Sequence, residues 1–144
     1  MPELEERFAD ALHASARAWR LAVDRRLKSL GLSQASWMTI GVAAKARAPL
    51  SQSELANRLG VEAATMVAMI DRLVKAGLVA RQISRTDRRV NRVVLSEAGN
   101  RLYDTVKAVA AGVRKDLLAH IDPKKLEVTT ELLEALQEVI ERIP

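Results

Sequence analysis

The sequence contains no cysteine, which excludes disulfide staples and any chemistry that needs a thiolate. Histidine is almost as scarce. His13 and His120 are the only two, and neither has the Cys, Asp or Glu companions of a metal site, so no metal and no cofactor is expected. Neither lies in a recognisable catalytic motif, and there is no glycine-rich phosphate loop, so an enzyme is disfavoured. Also missing is any uncharged apolar run of the ~20 residues needed to cross a bilayer. The start, Met1-Pro2-Glu3-Leu4-Glu5-Glu6-Arg7, is acidic and lacks the basic and apolar segments of an export signal. The chain is therefore expected to stay in the cytoplasm and off the membrane.

What is present is an ordinary globular composition, 49% hydrophobic and 28% charged over 144 residues, enough for one compact architecture. The net charge of +5 is unevenly placed. Residues 51–95 carry eight basic side chains (Arg58, Arg72, Lys75, Arg81, Arg85, Arg88, Arg89, Arg92) against four acidic ones (Glu54, Glu62, Asp71, Asp87), a local excess of four. Such clustering suits either a solvated basic face or a polyanion site, where neutralising phosphates releases condensed counterions.

Periodicity supplies the elements. Leu4, Phe8, Leu12, Ala16, Trp19, Val23, Leu27 and Leu30 form one helical stripe, and Gly31 follows as its terminator. Ser33 is positioned to cap a second helix bearing Trp37, Ile40 and Ala44, which must end before Pro49. Ser51 and Glu54 have capping-box spacing and open a short third helix that ends at Gly60. The fourth is read with Val61, Ala64, Val67, Ile70, Leu73 and Val74 inward and Gly77 as its stop. Residues 78–83 and 90–95 are β-rich runs around the polar tip Ser84-Arg85-Thr86-Asp87-Arg88-Arg89, a hairpin pattern. Ser96 caps a further long helix, and Asp122-Pro123 opens the last, whose Leu126, Leu133 and Ile140 recur at the seam period of helices packed along their length.

Two short helices meeting at Gly60, then a hairpin with a basic tip, is the plan of a winged helix-turn-helix. A major groove admits one helix, and a neighbouring arm can reach the minor groove. The outward face of the recognition helix is expected to hold Glu62, Thr65, Met66, Ala68, Met69 and Arg72, with Ser51 close to phosphate. On the wing, an arginine on the protruding turn suits the negative potential of a narrow, A·T-rich minor groove, and Arg85, Asp87, Arg88 and Arg89 are the candidate DNA-binding residues there. Trp19 and Trp37 are read mainly as core residues. Arg17 is the best carboxylate partner in the sequence, because a guanidinium matches a carboxylate bidentately.

The motifs Leu55-Ala56-x-x-Leu59-Gly60-Val61, Met69-Ile70-Asp71-Arg72-Leu73-x-x-x-Gly77-Leu78-Val79, and Asp87-Arg88-Arg89 before Leu95-Ser96-x-x-Gly99 fall in an order and spacing that resemble the MarR family. Trp19-Arg20, Asp24-x-Arg26-Leu27-Lys28 and Leu32-x-Gln34-x-x-Trp37 further resemble its SlyA branch. The resemblance implies a mainly α fold with a small β-hairpin wing. It also implies a winged helix-turn-helix domain over 32–99 and a helical dimerisation region from 1–31 and 100–144. It makes Arg88 the minor-groove arginine, Asp87 the residue orienting the tip, and Arg89 a brace paired with Asp71. Ala68 departs from the pattern, standing where SlyA-like relatives carry an arginine.

The function implied is a homodimeric regulator, a repressor on double-stranded DNA, released by a small aromatic carboxylate such as salicylate or by a phenolic compound. Trp37 and Arg17 would then hold the effector, with Trp19 in support. Two alternatives stay open: a ligand-independent DNA binder competing with nucleoid proteins, and a protein-interaction module on the same scaffold.

Overall fold

The computed structural model describes residues 1–83 and 91–144. Helix α1, Pro2–Leu27, continues into a 3-10 turn at Lys28–Leu30 that stops on Gly31. Helix α2 spans Gln34–Lys45, with the Ser33 hydroxyl accepting from the Ser36 amide. Strand β1, Leu50–Ser51, leads directly into α3, Gln52–Leu59, followed by α4, Ala63–Lys75. Strands β2, Val79–Ile83, and β3, Asn91–Leu95, precede α5, Glu97–Leu118, and α6, Pro123–Arg142.

The fold is thus mainly helical with a small antiparallel sheet in the order β1-β3-β2. Val79 faces Leu95 and Ile83 faces Asn91 across the hairpin, while Ser51 faces Arg92 across the other edge of β3. The hairpin follows the sequence pattern. Strand β1 is an addition to it, because two residues after a proline are too short to display a period.

By contact density the chain falls into two compact units, 1–111 and 112–144, and the division lies within α5. The first unit holds the main core: Ile40 from α2, Leu50 from β1, Leu55 and Ala56 from α3, Met66, Met69, Ile70 and Leu73 from α4, and Val79 and Val93 from the sheet. The one buried polar residue described, Thr39, donates its hydroxyl to the Ala35 carbonyl at 2.7 Å, so its burial leaves nothing unsatisfied. In the second unit, α6 presents Val128, Leu132, Leu133, Val139 and Ile140 to solvent.

A close backbone contact fixes the start of α5. The Ser96 amide donates to the Leu78 carbonyl, and the Ser96 hydroxyl donates to the Gly77 carbonyl at 2.6 Å. The Ser96 oxygen in turn accepts from the Gly99 amide at 3.0 Å. A Cβ on Gly99 would lie 2.0 Å from the Leu78 oxygen, so only glycine allows α5 to begin against the turn that ends α4.

Candidate nucleic-acid interface

The helix-turn-helix is set by its caps. The Ser51 hydroxyl accepts from the Glu54 amide at 3.1 Å, and a Glu54 carboxylate oxygen accepts from the Ser51 amide at 3.3 Å, a complete capping box. Gly60 ends α3 at φ 67°, a left-handed conformation that favours glycine, and the Val61 amide returns to the Ala56 carbonyl at 3.0 Å. Helix α4 then follows the turn and packs on the α2–α3 core.

The orientation of α4 corrects the sequence reading. Met66 and Met69, expected outward, are buried with Ile70 and Leu73, whereas Val67 and Val74 are exposed. Positions 66, 69, 70 and 73 complete an i, i+3, i+4, i+7 stripe, and the unbranched thioethers adapt to the space between α2 and α3 better than β-branched valines would. The Ser36 hydroxyl also lies 3.6 Å from the Met69 sulfur. Met66 and Met69 therefore leave the set of candidate base contacts. The exposed face carries Glu62, Thr65, Val67, Ala68 and Arg72.

Arg81 on β2 joins three elements. Its Nε donates to Gln52 Oε1 at 2.7 Å, and its Nη2 donates to Asp71 Oδ1 at 2.6 Å and to the Val67 carbonyl at 3.5 Å. One guanidinium thus links the first turn of α3, the middle of α4 and the root of the wing. Sequence reasoning assigned Asp71 to Arg89 and missed Arg81. The signal was the strand period: Arg81 is two residues from buried Val79 and so on the core side of β2, where a charge needs partners. Arg85, Asp87, Arg88 and Arg89 lie outside the described residues, and with them the expected Arg89 brace.

A cavity of about 510 Å³ opens within the first unit between α1, α2, α3 and α4. Met38, Leu59, Val61, Met66 and Met69 give it apolar walls, and Arg20, Gln34, Arg58 and Thr65 supply polar groups. Arg17, Trp19 and Trp37 are absent from this lining. Arg17 is exposed. Trp37 is half-buried and donates its indole N–H to Asp24 Oδ1 at 3.3 Å, tying α2 to α1. The cationic groups at the cavity are Arg20 and Arg58, which sequence spacing could not have paired. Among the described residues, no three His, Asp or Glu side chains gather as a metal would require.

This arrangement has known relatives. The transcriptional regulator PA3341 is 37% identical, with a TM-score of 0.85 over 93% of this chain and 98% of that one. CouR from Rhodococcus jostii RHA1, solved bound to p-coumaroyl-CoA, is 23% identical, with a TM-score of 0.77 over 92% and 93% of the two chains. The transcriptional regulator SlyA is 16% identical, with a TM-score of 0.79 over the same shares. At these identities the likeness to CouR and SlyA is one of fold, and the SlyA branch is not singled out. The MarR family profile itself matches residues 44–90, the stretch carrying α3, α4 and the basic cluster. With a winged helix-turn-helix in place and a regulator that shares more than a third of its residues over 93% of the chain, the chain belongs to the MarR family of transcriptional regulators, which are not enzymes.

Proposed function

We propose that the protein is a homodimer that binds double-stranded DNA at a pseudo-palindromic, A·T-rich operator and represses transcription from it. The observation that carries this reading is the exposed face of α4, where Thr65, Val67, Ala68 and Arg72 stand clear of the core while Arg81 ties the helix to the wing. Thr65 and Arg72 offer polar contacts to base edges or phosphates, and the methyl groups of Val67 and Ala68 suit the thymine methyl. Ser51 opens α3 beside the backbone. Arg85 and Arg88 enter the minor groove, Asp87 orients the tip, and Arg89 braces it.

Dimerisation draws on the helical regions 1–31 and 100–144. Leu4 and Phe8 on α1 are exposed, as is the apolar face of α6, more uncovered apolar surface than a monomer of this size ordinarily shows. No helix among the described residues is long and apolar enough to cross a membrane, and we place the protein in the bacterial cytoplasm, on the nucleoid when bound.

The effector is an aromatic carboxylate such as salicylate, held in the α1–α4 cavity. Arg20 and Arg58 replace Arg17 as the carboxylate partners, and the methionines replace Trp37 as the wall. Because Thr65, Met66 and Met69 of α4 line that cavity, an occupant that prefers a shifted α4 lowers DNA affinity, and typical couplings are about 1–3 kcal/mol. CouR's ligand makes the coenzyme A thioester of such an acid the second class to try.

The test begins with the operator, selected from genomic fragments. On it, Arg88→Ala weakens binding by about 1–3 kcal/mol and flattens the A·T preference without unfolding the protein. Unchanged affinity removes the minor-groove assignment. Salt-insensitive or absent DNA binding by the wild type would favour a protein-interaction module instead.

A further inference from the structure

A second concave surface, about 460 Å³, lies in the first unit at the end of α2, around the turn that leads into β1. Four cations line it from four successive places in the fold: Lys45 closes α2, Arg47 sits in the turn, Arg58 is on α3 and Arg92 is on β3. Among the described residues the only acid lining it is Glu54, whose carboxylate is already engaged by the Ser51 amide in the capping box. Arg92 is held in place, with Nη1 donating to the Pro49 carbonyl at 3.0 Å, which leaves its other N–H groups available. Lys45, Arg47 and Arg58 are exposed, and none has a hydrogen bond or ion pair among the described residues.

We infer that this groove holds a backbone phosphate of the DNA, a contact separate from the recognition helix and from the tip of the wing. Three features favour a nucleic-acid backbone. Four like charges converge with one engaged acid, a self-repulsion that a polyanion relieves while releasing its counterions. The groove is open, so a small anion in it would stay hydrated, whereas a duplex brings its phosphates to the surface already fixed in position. Arg92 also faces Ser51 across β3 and β1. Arg58 lines both this groove and the cavity that contains Thr65, so the groove flanks the elements that approach DNA. The α3 N-terminus is not the source of attraction, since Gln52 and Ser53 of its first turn do not line the groove.

This inference rests on the DNA-binding reading, and its test separates the two. The full-length protein and the Lys45→Ala/Arg47→Ala variant are titrated against the selected operator and against random duplex across a salt series. Each phosphate contact contributes a slope of about 0.9 in log affinity against log salt, or roughly 3.5-fold between about 50 and 200 mM. The variant is expected to lose affinity by the same factor on both DNAs and to flatten the slope by about 1 for each contact removed. Arg47→Lys restores the slope in the Lys45 wild-type background, because charge and not shape is at work. An unchanged slope and affinity in the variant, with normal wild-type binding, overturns the groove assignment alone. A loss confined to the operator overturns it too, since phosphates carry no sequence information. If the variant binds DNA normally but no longer has its binding inhibited by added ATP as the wild type does, the groove is a small-anion site and the inference fails. A wild type that does not bind duplex in a salt-dependent way defeats the regulator reading itself.

Discussion

Replacing Arg81 by methionine tests whether one guanidinium holds the DNA-reading elements together. Methionine preserves much of the packing of the arginine stem, so the change isolates the polar links. Those links are unequal. The pair with Asp71 is short, at 2.6 Å, but the two side chains are 26% and 60% exposed, which limits it to about 0.5–1 kcal/mol after solvent screening. The bond to Gln52, at 2.7 Å and partly buried, adds about 1–1.5 kcal/mol as a charge-assisted contact. Arg81→Met therefore costs about 2 kcal/mol of stability and Asp71→Asn about 0.5–1 kcal/mol. The double variant should fall short of additivity by about 0.5–1 kcal/mol. Urea unfolding at fixed protein concentration measures all three, with an unchanged m-value as the control for a common unfolded state. Operator affinity drops in both single variants, because both release α4 from the wing root. Additive stabilities within about 0.3 kcal/mol, or operator affinity unchanged in Arg81→Met, would refute the bracing role.

Gly99→Ala places a methyl 2.0 Å from the Leu78 carbonyl oxygen, a backbone atom that cannot swing away, and should cost about 2–3 kcal/mol or more in a thermal melt; an unchanged melting temperature contradicts the close approach. Met66→Ala should destabilise by about 2–4 kcal/mol, while Val67→Ala, on the exposed face, stays within about 0.5 kcal/mol and instead weakens operator binding. The reverse ranking would restore the orientation of α4 expected from sequence. Leu133→Glu with Ile140→Glu should give monomers by sedimentation and abolish operator binding, and a stable dimer from that variant would place the interface elsewhere. Arg20→Ala should blunt release by salicylate without weakening DNA binding in its absence; equal release by benzoate, salicylate and a non-aromatic acid at constant ionic strength would mean no specific site.

Local signals carried far in this chain. The Ser51 and Glu54 spacing announces a capping box that forms as written, and the change after Gly77 from helical periodicity to two β-rich runs around a polar tip locates the hairpin. Helix α4 shows where such reading stops. Two overlapping stripes share Ile70, one through Val67 and Val74 and the other through Met66, Met69 and Leu73, and hydrophobicity alone ranks them closely. Packing decides, because a flexible thioether fills the irregular space under α2. The partners of Arg81 and the meeting of Arg20 with Arg58 were illegible for a different reason. They join residues distant in sequence, and the spacing within one element says nothing about convergence between elements. Trp37 illustrates the intermediate case: its indole N–H needed a partner once half-buried, and Asp24 supplies it, but only the structure names the acid.

Two copies of this winged helix are proposed to read DNA through the exposed face of α4. A hydroxyl-radical footprint of the full-length protein on its selected operator tests this most directly. The expected result is two protected tracts related by a pseudo-twofold axis with recognition sites about one helical turn, roughly 34 Å, apart. Both should weaken together in Arg72→Ala, over an affinity at least about 10³-fold tighter than for random duplex. A single asymmetric tract, or equal protection of operator and random DNA, would contradict it.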